Sequence, residues 1–89
     1  MRAVITVIGK DAVGILAKVS NECFERNVNI VDVNQSVLQD LFAMIMLSDV
    51  SACNIPFSQF VKKMTDLGKA NGLSVHVMHE EIFDSMHKV

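Results

Sequence analysis

Residues 2–38 read RAVITVIGKDAVGILAKVSNECFERNVNIVDVNQSVL, and their apolar period changes twice. The first run, RAVITVI at 2–8, is rich in β-branched side chains and closes on Gly9, which predicts a strand. From 14 to 27, GILAKVSNECFERN, the spacing becomes helical. Ile15, Leu16, Val19 and Cys23 recur on one stripe, while Lys18, Glu22, Glu25 and Arg26 fall elsewhere on the wheel. Asp11 stands ahead of that period and is the expected N-cap. At 29–38, NIVDVNQSVL, alternation returns. Val31, Val33 and Val37 share one face, and Asp32, Asn34 and Ser36 the other.

The rest of the chain extends this strand–helix–strand opening. After a turn at Gln39–Asp40, residues 41–50, LFAMIMLSDV, are apolar on both faces. Such a strand belongs in the middle of a sheet with both faces covered. A loop at Ser51–Ile55 leads to Pro56, which suits the first turn of a helix. Phe57, Phe60, Val61, Met64 and Leu67 form its stripe, with Gly68 and Gly72 as stop signals. Residues 73–80, LSVHVMHE, read as a fourth strand. With right-handed crossovers, β-α-β-β-α-β gives an α+β, ferredoxin-like sandwich: a four-stranded antiparallel sheet with two helices on one face.

The open face of that sheet would also be apolar, and something must hide it. Ile82, Phe83, Met86 and Val89 lie at i, i+1, i+4 and i+7, one side of a short helix. This C-terminal helical tail is expected to lie across the open face, of its own subunit or of a partner. The expected organisation is one domain, 1–89, with a core at 1–81 and a tail at 82–89.

Composition narrows the function. At 89 residues the chain is one small domain, since a domain takes about 150 residues. A 51% hydrophobic content argues against disorder, and a net charge of −2 gives no footprint for nucleic acid or an anionic membrane. No run approaches the roughly 18 apolar residues of a membrane span, and AVITVI at 3–8 is too short for a signal peptide. Cys23 and Cys53 are too few for a disulfide scaffold, a tetrahedral zinc site or an iron–sulfur cluster. The expectation is a cytoplasmic domain without metal or cofactor.

Catalytic constellations are also missing from the sequence. Tyr and Trp are absent, so the sheet lacks the stacking aromatics of RNA-recognition folds. The first loop carries no arginine for a phosphate. His76 and His79 are three apart on a strand, hence on opposite faces, and do not form a ligand pair. His87 has no evident partner, Cys23 reads as a core residue, and nothing basic flanks Cys53. No nucleophile–base set emerges, and an enzyme is not expected.

The informative stretch is GKDAVGILAKVS, 9–20. Gly9 and Gly14 let the backbone turn and approach a ligand. Free N–H groups of the helix's first turn point into the bend with the positive end of its dipole, an arrangement that accepts a carboxylate. For the ammonium of an amino acid, Asp11, Asn29 or Asp32 could supply acceptors. Equally, Asp11 could serve only as a cap and Asn29 only as the start of a strand.

ITVIGKDAVGILAKVS followed by NVNIVDVNQSV resembles the ACT domain, a small regulatory module of amino-acid metabolism. The diagnostic part is D-x-x-G-I/L, Asp11 to Ile15, followed by Asn29 and Ile30, within elements that agree over about residues 1–80. The ending EIFDSMHKV further resembles stand-alone bacterial ACT proteins of an uncharacterised family. The resemblance implies a homodimer with a regulatory amino acid bound between the first loop of one copy and the second strand of the other. Carried over by position, it implies Asp11, Val13, Gly14 and Ile15 on the loop, and Asn29, Ile30 and Val31 on the strand. With no catalytic domain in the chain, any output would pass to a separate protein target. The alternative expectation is a protein-interaction module without a small ligand, working through the apolar face and the tail.

Overall fold

Four strands and three helices follow in the order β1 (Arg2–Gly9), α1 (Ile15–Glu25), β2 (Asn29–Leu38), β3 (Leu41–Asp49), α2 (Phe57–Ala70), β4 (Ser74–His79) and α3 (Glu80–Met86). The computed structural model describes residues 1–10 and 13–86, with the backbone alone for Leu38. The strands make one antiparallel sheet, β2-β3-β1-β4, in the expected ferredoxin-like arrangement. The two strands whose sequences are apolar on both faces, β1 and β3, are the central pair.

Alternation along the central strands builds the core. Ala3, Ile5 and Val7 of β1, Phe42, Met44 and Met46 of β3, and Val75 and Val77 of β4 are all buried. Cross-strand pairing sets them in rows: Ile5 lies opposite Met46 and Val77, and Val7 opposite Met44 and Val75. Ile15, Val19 and Cys23 of α1, and Phe60 and Met64 of α2, close over these rows. Each fully buried side chain of the size of Phe60 or Met64 contributes about 1.5–3 kcal/mol. Ser48 is buried among them and donates its hydroxyl to the Ala3 carbonyl at 3.0 Å.

The helix ends differ from the sequence reading in instructive ways. The N-cap of α1 is Gly14, left-handed at φ 72° and without a side-chain cap bond; Asp11, the expected cap, lies outside the described residues. Asn27 takes a left-handed φ of 60° and ends α1 at Glu25, two residues before the expected end. Val28 N–H then bonds Cys23 O at 2.8 Å and Asn27 N–H bonds Phe24 O at 3.1 Å, a Schellman closure. Around Gly72 the same closure ends α2, with Leu73 N–H on Gly68 O at 2.8 Å.

Gly68 is not a stop signal. It sits inside α2, where a Cβ would come within 2.6 Å of Val75 Cγ2 and 3.0 Å of the Leu73 carbonyl. Close packing of α2 on β4 therefore needs a residue without a side chain. Pro56 precedes α2 as its N-cap.

Two further expectations are modified. A bulge between Ile30 and Asp32 breaks the alternation of β2. Ile30, opposite the buried Ser48, packs against the core, while Val31 stands 49% exposed. The extra residue, not alternation, decides where that valine goes. The tail does form a helix, packed on β1 and β4 of its own chain. Its cover is partial: Val4 is buried, but Ile8 and Ile45 stay about half exposed, as does Ile82 on the tail itself. Val89, the last residue of the expected stripe, lies outside the described residues. No described helix is long and apolar enough to cross a membrane.

Candidate functional site

The bend after β1 begins at Gly9, which lies beneath Leu73. Val13 is exposed, and Ile15, buried in the core, anchors the start of α1. Between them Gly14 carries a positive φ, and among the described residues no atom beyond its chain neighbours lies within 4 Å of where its Cβ would be. The left-handed turn at Gly14 opens α1, whose first-turn amides have no partner within the helix itself. Lys18 N–H bonds Gly14 O at 3.1 Å, and Lys18 Nζ reaches Asn71 Oδ1 at 2.6 Å, tying this end of α1 to the cap of α2. Asp11 and His87 lie outside the described residues.

The other half of the expected site is not beside the bend. Asn29 lies opposite Asp49, which lies opposite Arg2, so Asn29 belongs to the end of the sheet where β1 begins. Gly9 lies at the far end, level with Phe42 and Val37. Seven residues along the strand and two strand spacings separate Gly9 from Asn29, about 25 Å. The structure groups Val13, Gly14 and Ile15 at one end, and Asn29, Ile30 and Val31 at the other.

Around Asn29 the structure places residues that the sequence reading passed over. Phe24, Asn27, Val28, Asn29, Asp49, Ser51 and Ala52 line a concave pocket of about 330 Å³. Asn27 Nδ2 donates to Ala52 O at 3.1 Å, and Asn54 Nδ2 to Glu25 O at 2.8 Å, so loop 50–56 is pinned to the end of α1. The Ser51 amide bonds Asp49 Oδ1 at 2.9 Å. Hydrogen bonds from the Ser51 hydroxyl and amide hold the Asp49 carboxyl below its ordinary range. An Asp two residues before a Ser was a readable turn signal; what it adjoins depends on strand pairing.

A second concavity, about 470 Å³, lies on the open face between the sheet and α3. Ile8, Ile45, Phe83 and Met86 border it, with Thr6 and His76 on its floor. His79 points to the other side of the sheet and stacks on Phe57, ring centroids 4.2 Å apart, so the two histidines do occupy opposite faces. Burial pushes the Cys23 thiol up to about 11, which leaves it protonated and inert. Among the described residues no three His, Cys, Asp or Glu side chains converge as a metal-binding group.

Comparison with known proteins agrees with the fold. A family model described as "ACT domain" matches residues 2–78. A UPF0237 protein of Listeria innocua is 46% identical over 89 residues, covering all of both chains. Its counterpart in the archaeon Methanocaldococcus jannaschii is 42% identical over 88 residues, 99% of this chain and 98% of that one. The group is therefore not confined to bacteria. Among solved structures, an ACT domain protein from Streptococcus pneumoniae superposes with a TM-score of 0.81 at 32% identity, over 94% of each chain.

Proposed function

The chain belongs to the ACT domain family, a family of regulatory ligand-binding domains, and on that premise we propose that it is a homodimeric sensor of a small ligand such as an amino acid. The observation that carries the proposal is the separation, about 25 Å by strand geometry, between Gly9, where the bend begins, and Asn29. One chain cannot close a small ligand between them; two chains related by a twofold axis can.

The β2 edge supplies the means. It is ten residues long, lies at the border of the sheet and contains no proline. Such an edge pairs readily with a second strand. Antiparallel pairing of β2 with its copy reverses the partner end for end, which brings the partner's bend to the end where Asn29 lies. A twofold centred on Asn34 also sets Val31 of each copy opposite Val37 of the other. Both valines are exposed in the single chain, 49% and 69%. On α1, Leu16, Ser20 and Phe24 occupy the stripe away from Lys18 and Glu22, on the β2 side, and Phe24 is 80% exposed. An apolar border therefore flanks the polar edge.

Chemically, the bend offers amides for a carboxylate, and the Asn29 end offers acceptors. Binding across the seam would favour one dimer geometry over another and pass that difference to a separate protein target. Sedimentation with calorimetry against the twenty amino acids tests the reading. The expected result is a dimer, with heat on adding at least one of them; a strict monomer, or no response at tens of millimolar, would overturn it. Gly14→Val should remove binding and leave the dimer.

A second reading rests on the bare part of the open face. As a protein-interaction module, the domain would use Ile45, Phe83 and Met86 as its contact surface. A stoichiometric protein partner released by Met86→Asp, with no amino-acid response, would favour that reading.

A further inference from the structure

We propose that the cavity between the open face of the sheet and α3 is a binding site separate from the β2 seam, and that it takes an uncharged apolar small molecule with one hydroxyl head. It lies on the face of the sheet away from α1 and does not depend on the amino-acid reading.

The cavity has the size and lining of a small-molecule site. Its volume, about 470 Å³, falls within the range of about 300–1,000 Å³ of such sites, which are mostly apolar with a few placed polar groups. Ile8 and Ile45 form the sheet side of the wall, and Phe83 and Met86 of α3 form the other. Among the described residues no Lys, Arg, Asp or Glu lines it. An ionised ligand would lose water there without a fixed counter-charge, a cost that a neutral molecule avoids.

The polar groups are confined to one row of the sheet. Thr6 lies opposite Ile45 on β3 and His76 on β4, which sets the Thr6 and His76 Cβ atoms about 5 Å apart on one face. Ser74 Oγ meets His76 Nε2 at 3.0 Å and orients the ring. Thr6 is half-buried, and among the described residues its hydroxyl has no hydrogen-bond partner. By contrast, the Ser48 and Thr65 hydroxyls both donate to backbone carbonyls. A hydroxyl donates and accepts, so Thr6 can pair with another hydroxyl at the floor while the apolar walls take the rest of the molecule.

The helix supplies a wall that can adapt. Seven residues are too few for α3 to be stable by itself, and none of them is buried. Its start is fixed by Arg2, whose Nη2 and Nε lie 2.9 and 3.0 Å from Glu80 Oε1. Its other end carries Met86, 65% exposed, an unbranched side chain of the kind that fills irregular gaps. A ligand seated on Ile8 and Ile45, each about half exposed, would bury both and give Met86 a surface to close on.

Fluorescence titration of the full chain with 2-naphthol tests the site, because the protein has no Trp or Tyr to compete with the probe's emission. The expected result is saturable binding, with NMR shift changes on the methyls of Ile8, Ile45 and Met86 and none on those of Val31 and Val37. Thr6→Val removes the hydroxyl at nearly the same volume. It should weaken 2-naphthol by roughly 2- to 10-fold, the range for one neutral hydrogen bond, and should not weaken naphthalene. Met86→Asp, at an exposed position, should weaken both probes while circular dichroism stays unchanged. The charged analogue 2-naphthoate should bind more weakly than 2-naphthol. Absence of saturable binding, shifts on the β2 valines instead, or full affinity in Met86→Asp overturns the site. Naphthoate as tight as naphthol, or a Thr6→Val loss that is absent or shared by naphthalene, overturns the ligand class.

Discussion

Val37→Lys is the sharpest perturbation of the proposed seam, because the folded single chain has little use for that side chain. Val37 is 69% exposed, so the substitution should change the stability of one subunit by no more than about 0.5 kcal/mol. The dimer should respond differently. Full burial of a valine contributes about 1.5–3 kcal/mol, and scaling by the exposed fraction leaves roughly 1–2 kcal/mol for each copy to gain. A twofold seam uses Val37 twice, so the dimer should weaken by roughly 2–4 kcal/mol, about 30- to 700-fold in Kd. Sedimentation equilibrium reads the Kd, and urea unfolding of the dilute subunit reads the fold. The register has its own check. Val31→Lys with Val37→Glu and Val31→Lys with Val37→Lys lose the same two valines and differ in the sign of one charge. Only pairing about Asn34 sets those positions against each other. The first double variant should then associate more tightly than the second, by about 0.2–1 kcal/mol per cross-strand pair, and the seam has two such pairs. An unchanged Kd in Val37→Lys, or two double variants of equal affinity, refutes the β2 seam.

The remaining predictions concern the subunit itself. Gly68→Ala gains about 1 kcal/mol of helix propensity but forces a methyl against Val75 and the Leu73 carbonyl, at about 1–3 kcal/mol. The expected outcome is a Tm lower by several degrees; a raised Tm would show that α2 can move off β4 freely. Deleting residues 82–89 uncovers Val4 and should lower solubility or raise the sedimenting mass, and a chain that behaves as before would mean that the tail protects nothing. Asp49 and Asp66 titrate below their ordinary 3.8 because Ser51 and Lys62, respectively, bond their carboxylates. Stability from a lowered carboxyl is present above the unfolded pKa and lost as pH falls through the folded value. Asp49→Asn should therefore be slightly less stable than the unaltered protein at pH 7, and the difference should close as the pH falls below about 4, read by urea unfolding across pH. At pH 7 iodoacetamide should label Cys53 before Cys23, since burial holds Cys23 near 11 and out of reach; mass mapping that finds Cys23 modified first would contradict the packed core.

The fold was legible because its signals are local and repeated. The β-branched run at 2–8, the run apolar on both faces at 41–50, period 3.6 in 15–23 and 57–67, and turn residues at 39–40 each specify an element without knowledge of its neighbours. The departures arise where a neighbour decides. Alternation puts Val31 on the core face, but a bulge set by pairing with β3 sends Ile30 there instead. Gly68 reads as a terminator until β4 is known to press against it, at which point its missing side chain becomes a packing requirement. Asn27 takes the left-handed cap that glycine usually fills, so the end of α1 carried a weaker local mark than the end of α2.

The candidate site was legible in halves for the same reason. The bend could be read from Gly9 and Gly14, and Asn29 from its place at the start of a strand. Their distance belongs to the sheet order, and the place of Asp49 belongs to a pairing across 20 positions of sequence, Asn29 with Asp49. Asp49 and Ser51 mark a turn locally, but that the turn adjoins the start of β2 and the end of α1 depends on strand pairing. Two ends of one strand cannot serve one small ligand, yet the exposed valines of β2 lie three positions either side of Asn34. That symmetry is what makes the separation of the two halves meaningful. In the dimer we propose, an edge strand whose apolar residues match under a twofold meets its own copy, and the same operation would carry the bend of one subunit toward the Asn29 end of the other.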